Sequence, residues 1–247
     1  MTVIETGLIQ TRLEEIKERI YKAAQASGRD SNAIDLIAVT KEKTAAVVKS
    51  LYENGITKIG ESYLKEAIFK INLLKEYQLE WHMIGNIQRG KERQIALDFT
   101  EVHSVDRIRV AAGLNKNAEI LKRILPVYLE FNVSGESTKH GWKSWDEKTW
   151  DLILPDIEEI MDYSALEIKG LMTMAPYSNN PEDSRPYYRK LRKLRNYITM
   201  KSPGMNLSEL SMGMSGDFEI AIEEGATVLR IGSALVGPRG DRSSHGN

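Results

Sequence analysis

Cysteine is absent from this 247-residue chain, which removes disulfides, thiolate nucleophiles and cysteine-ligated metal sites together, and is compatible with a reducing compartment. Net charge is nearly absent too: 34 Lys and Arg stand against 35 Asp and Glu, leaving −1 at pH 7. No global field therefore draws the protein to nucleic acid or to an anionic membrane, and any partner has to be argued locally. No apolar run reaches the length of a membrane span, and the N-terminus, "MTVIETGLIQTRLEEIKERI", is charged and amphipathic instead of carrying an apolar core. A cytoplasmic protein is the expectation. Histidine is scarce, and His82, His103, His140 and His245 show no spacing that would set two ligands on one helical face, so no metal is expected. Gly/Ser-rich or Pro-rich linkers are missing as well, so the chain reads as one domain, 1–240, with a disordered tail at 241–247.

What is present is a rhythm. After an opening helix with Leu8, Leu13, Ile16, Ile20 and Ala24 near helical spacing, short apolar runs alternate with polar stretches of helical character. The runs are 35–39, 57–60, 81–85, 101–105, 126–133, 168–174, 207–213 and 227–232. Strands alternating with helices pair in parallel through right-handed crossovers, and eight such units fit a closed (β/α)8 TIM barrel better than an open doubly wound sheet. Chemistry in such a barrel gathers where the strands end, with phosphate groups at the loops after the seventh and eighth strands.

The first run, "DLIAVTKEKT", ends in Lys41, on the same face as Ile37 and Val39. If that face is the barrel interior, partial desolvation lowers the amine's pKa and favours its nucleophilic form; a solvated loop lysine is the plainer alternative, and Lys43, beyond the strand, reads as one. The eighth run leads into Gly232 and Ser233, whose backbone N–H groups suit an anion approaching without a Cβ in the way. After the seventh run, Ser215 or Asp217 suits a helix cap, and the Ser215 hydroxyl could reach the same anion. Each feature alone is also an ordinary turn or cap. An amine on strand one facing a phosphate cradle on strands seven and eight suits a phosphorylated aldehyde, with pyridoxal 5'-phosphate the leading candidate.

The segments "AVTK", "GESYLKE", "WHMIGNIQRGK", "SVDR", "NVSGESTKHG", "GLMTM", "LSMGMSGDFEIAI" and "VLRIGSALVG" together resemble the pyridoxal-phosphate-binding homeostasis proteins, whose fold is similar to the N-terminal barrel of alanine racemase. The resemblance spans about residues 8 to 239, with the motifs in the same order. It implies that Lys41 forms the Schiff base with pyridoxal phosphate, that Ser215, Gly232 and Ser233 hold the phosphate, and that Arg230 faces the pyridine nitrogen. It departs where many relatives carry Asn, at Ser62 and Gly90. Ser62 and His82 are expected beside the cofactor.

An arginine opposite the ring nitrogen stays protonated and leaves the ring a poorer electron sink than a carboxylate partner would. Racemisation also needs a second acid/base group, for which Tyr63, His82 and Tyr177 are the candidates. The expected function is therefore intracellular vitamin B6 homeostasis, with capture and release of the cofactor, delivery to apo-enzymes that require it and an indirect effect on amino-acid and keto-acid balance. A weak amino-acid racemase is the alternative, and a monomer is the expected state. A third reading, nucleic-acid binding by the basic stretch 185–201 and the Lys/Trp-rich stretch 139–150, competes with a solvated helix face and loop packing.

Overall fold

The alternating runs resolve into eight parallel strands that close on themselves. In the computed structural model, which describes residues 3–238, they are β1 (Asp35–Val39), β2 (Lys58–Glu61), β3 (Glu80–Met83), β4 (Glu101–Val105), β5 (Leu125–Asn132), β6 (Leu166–Met172), β7 (Glu209–Ser211) and β8 (Val228–Ile231). Each pairs in parallel with the next, and β1 pairs with β8 through the register Asp35↔Val228 to Ala38↔Ile231. The expected (β/α)8 barrel is the observed one. Closure leaves none of these eight strands as a free edge. Trp142–Lys143 adds a two-residue strand beside the end of β5, outside the ring. The expectation for 241–247 lies outside the described residues.

The helices are α1 (Val3–Ala26), α2 (Ala45–Glu53), α3 (Leu64–Leu73), α4 (Glu92–Asp98), α5 (Ile108–Ile120), α6 (Leu154–Met161), α7 (Arg185–Lys201), α8 (Phe218–Glu223) and α9 (Ser233–Val236). Among the described residues, no helix is long and apolar enough to cross a membrane. Helix α1 lies outside the barrel against α8 and α9. Its buried stripe is Ile9, Leu13, Ile16, Ile20, Ala23 and Ala24, whereas Leu8 is 48% exposed; the expected stripe is corrected by one residue, because Ile9 continues the i, i+4 row through Leu13 and Leu8 does not.

Two apolar cores result. The larger fills the space between strands and helices, and the smaller, Ile37, Tyr128, Met172 and Val228 with Met174 against them, fills the barrel itself. In the basic helix α7, Tyr188, Leu191, Leu194 and Ile198 are buried, while Arg185, Arg189 and Arg192 converge on the buried Glu224 carboxylate. Trp142 and Trp150 are buried, their indole N–H groups donating to Asp156 and to the Ser144 carbonyl. Both stretches therefore serve the fold, and neither presents a row of free bases and rings suited to stacking nucleotides.

Candidate functional site

At the C-terminal ends of the strands lies a cavity of about 380 Å³, within the range of sites that take one small ligand. Its walls are residues that end or follow six of the eight strands. Val39 ends β1 and Lys41 follows it, Ser62 follows β2, Ile84 follows β3, Met174, Pro176, Tyr177 and Ser178 follow β6, Met214 to Asp217 follow β7, Arg230 lies in β8, and Gly232 and Ser233 follow it. Six of the seven residues singled out from sequence, Lys41, Ser62, Ser215, Arg230, Gly232 and Ser233, thus line one space.

The backbone carrying Lys41 is held from α3. The Lys70 ammonium, itself buried, donates to the Thr40 carbonyl at 2.7 Å, to Glu61 Oε1 at 2.7 Å and to Glu66 Oε1 at 2.6 Å. Glu66 also accepts from the Glu42 amide at 2.7 Å, and Thr40 Oγ1 donates to Glu61. The peptides on either side of Lys41 are thereby anchored, and Glu42 is kept at φ 62°, a left-handed conformation that costs a non-glycine residue about 1–3 kcal/mol. Burial raises the Glu61 carboxyl above its ordinary range, with Lys70 opposing. Sequence reading passed over this support; its visible trace is the Glu66/Lys70 spacing on one helix face.

Lys43 also lines the cavity. Its ammonium donates to the Pro238 carbonyl, and burial, reinforced by the nearby Arg12 charge, lowers its pKa. The reading of Lys43 as a merely solvated lysine is corrected: a second partly buried amine stands beside Lys41.

Across the cavity, the backbone N–H groups of Gly232 and Ala234 both donate to Ser215 Oγ at 3.2 Å, so a hydroxyl and two amides converge on one spot suited to an anion. Asp217 stabilises the same loop: its carboxylate accepts from the Met214 amide at 2.7 Å and from the Tyr188 hydroxyl at 2.7 Å, and it makes no side-chain cap to α8. A methyl group built on Gly232 meets nothing closer than Val39 Cβ at 3.5 Å, so packing alone does not require a glycine there. Arg230 forms part of the floor. Only 4% exposed, it donates to Ser211 Oγ at 2.6 Å and to the Thr173 carbonyl at 2.8 Å; burial lowers its pKa, yet a guanidinium remains charged. Glu130 lies near enough to feel that charge, but burial first, and Asp106 second, push its carboxyl up to about 7.

His82 is not at this site. It lies in a second, polar cavity toward the opposite mouth of the barrel, lined also by Asp35, Lys58, Glu101 and Glu209, the first residues of β1, β2, β4 and β7. A residue in the middle of β3, before the strand's C-terminal end, points below the upper cavity. Nor does Tyr63 line the upper cavity. Tyr177 does, at its rim, 91% exposed.

The residues 11–240 match the family described as alanine racemase, N-terminal domain. The pyridoxal phosphate homeostasis protein of Aquifex aeolicus is 38% identical over 232 residues, covering 92% of this chain and 97% of its own length. This chain belongs to the pyridoxal phosphate homeostasis protein family. Among solved structures, PipY of Synechococcus elongatus, determined with pyridoxal phosphate bound, superposes with a TM-score of 0.80 at 29% identity, covering 93% of this chain and all of PipY. An alanine racemase of Clostridium difficile shares the fold at 15% identity and a TM-score of 0.68, with 92% of this chain matching 56% of that enzyme. In this member of the family the cavity brings together an amine, a convergent set of anion donors and a buried cation.

Proposed function

We propose that this chain binds pyridoxal 5'-phosphate reversibly and serves its intracellular homeostasis, with Lys41 as the residue that carries the cofactor as a Schiff base. The observation that supports it is the shared cavity: Lys41, just after β1, and the donors converging on Ser215 after β7 and β8 line one space above Arg230. Bound there, the cofactor would supply an aldehyde for the amine and an electron-withdrawing ring.

The protein's part is to hold. Lys70 and Glu66 fix the peptides around Lys41, which limits the orientations of the amine. Gly232, Ser233 and Ser215 take the phosphate, the Ser215 hydroxyl giving up its two amide donors to it. Ser62 lines the wall near Lys41, and Arg230 keeps a positive charge opposite the ring nitrogen, so that nitrogen stays unprotonated. Delivery to apo-enzymes requiring the cofactor, an indirect role in amino-acid and keto-acid balance, a cytoplasmic location and a monomeric state complete the reading.

Borohydride reduction of cofactor-loaded protein followed by peptide mapping is the test. A pyridoxyl group on Lys41, and loss of the adduct in Lys41→Ala, is expected; an adduct solely on Lys43, or an unchanged spectrum in Lys41→Ala, refutes the assignment. Racemase activity is the second reading, and Tyr177 at the cavity rim favours it as the available acid/base group. Exchange of the Cα hydrogen of free amino acids with solvent, abolished by Tyr177→Phe, would establish it.

A further inference from the structure

The lower mouth of the barrel carries a second cluster that the cofactor reading does not use. His82 in β3 and Glu101 in β4 are register partners, and His103 follows two residues on in β4, so its side chain projects to the same side as that of Glu101. His82 Nδ1 and His103 Nε2 are 3.1 Å apart, His82 Nδ1 and Glu101 Oε2 are 3.3 Å apart, and His103 Nε2 and Glu101 Oε2 are 3.5 Å apart. These three atoms form a nearly equilateral triangle. Ligands about 2.0–2.1 Å from a tetrahedral metal are spaced by about 3.4 Å, so the triangle has the size of one face of such a site.

Hydrogen bonding alone accounts poorly for this convergence. A neutral imidazole nitrogen either donates or accepts; if both facing nitrogens donate to Glu101 they oppose each other at 3.1 Å, and if they share one proton the carboxylate loses a donor, so one contact of the triangle is always left unmade. Among the described residues, no lysine or arginine stands within ion-pair distance of Glu101, whereas Asp35 pairs with Lys58 at 2.6 Å and Glu209 with Lys169 at 3.4 Å. The one carboxylate of this group left to the histidines is the one in the triangle.

The surrounding protein fixes the ligands in place. His103 is fully buried, its Nδ1 lies 2.9 Å from Ser211 Oγ, and its ring stacks on Tyr128 with centroids 4.1 Å apart and planes 12° from parallel. A hydroxyl on the far nitrogen is the kind of outer contact that sets a ligating imidazole's tautomer. His82 and Glu101 border the lower cavity, of about 200 Å³, which leaves room for a water in a fourth position. The geometry points to a His82–His103–Glu101 site for a divalent first-row cation, Zn2+ by preference, at the end of the barrel opposite the cofactor cavity. Imidazole and carboxylate donors with one open position are the ligand set such cations take. The earlier expectation of no metal considered histidine spacing within helices; here two histidines distant in sequence meet across adjacent strands.

The test uses tag-free full-length protein stripped with a chelator. Zn2+ titration by calorimetry and Co2+ titration by visible absorption are run on the parent chain, on His82→Gln, His103→Gln and Glu101→Gln, and on His140→Ala and His245→Ala, with circular dichroism to check folding. Expected are one equivalent of metal, a tetrahedral cobalt spectrum, affinity lowered by more than about tenfold in folded variants of the triad, and no change in the His140 and His245 variants. Absence of the cobalt spectrum from the folded parent chain overturns the site. So does parental affinity in Glu101→Gln and His82→Gln together, or loss of binding in His140→Ala or His245→Ala.

Discussion

Lys70 shows how much of a binding residue's behaviour is set by a neighbour that touches no ligand. Its ammonium serves two carboxylates and one carbonyl in a buried site, and removing one partner of such a group leaves the rest as uncompensated buried polarity. Lys70→Met is expected to cost about 3–5 kcal/mol in urea unfolding, and Lys70→Met combined with Glu61→Gln to recover part of that loss. Gly232 is the contrasting case. Its added Cβ would make only ordinary contact with Val39, so Gly232→Ala should change stability by less than about 1 kcal/mol while weakening cofactor binding about tenfold, a difference of ~1.4 kcal/mol; absorbance titration and thermal melting separate the two effects. The placement of Lys41 and Gly232 at the upper cavity was legible in the sequence because strand ends are where a barrel gathers its loops. Lys70 was not, because a lone buried lysine on an amphipathic helix looks like its solvated neighbours until tertiary packing covers it.

Elements were read more securely than the contacts between them. All eight apolar runs became strands, since even the short ones, such as Lys58–Glu61 and Glu80–Met83, carry buried residues between polar intervals of helical spacing. Cross-strand register left no comparable trace, which is why His82 was expected at the wrong mouth and the proximity of His82 to His103 went unread. The join of β2 and β3 illustrates a register-level constraint. A Cβ on Gly85 would lie 2.2 Å from the Ser62 carbonyl oxygen, a clash with backbone that no rotamer relieves. Gly85→Ala should therefore lose about 1–3 kcal/mol and displace the cavity wall at Ser62, seen as a lower melting temperature and weaker cofactor binding together. At Gly90, where many relatives carry Asn, the backbone sits at φ 80°, a conformation open to both residues; the departure is conservative for the fold.

At the scale of the whole molecule, Glu130 couples the barrel interior to pH. Burial holds its carboxyl at about 7 in the folded chain against an ordinary value of 4.5, so the folded state keeps a proton that the unfolded chain has lost. Stability from this group is present below pH 4.5 and falls as pH rises to about 7. Glu130→Gln carries no proton to lose, and its stability should decline less than the parent's between pH 5 and pH 8, by on the order of 3 kcal/mol; urea unfolding at the two pH values measures it.

The pairing of β1 with β8 has one more consequence. The lysine enters the barrel in the first strand's loop and the anion donors in the loops of the last two, so a growing polypeptide holds only half of a usable site until its last strand has docked on its first. A ligand tied to both would clasp the seam of the barrel, the ladder formed last by a chain emerging from its N-terminus. Cofactor would then favour the completed ring over every partly assembled form.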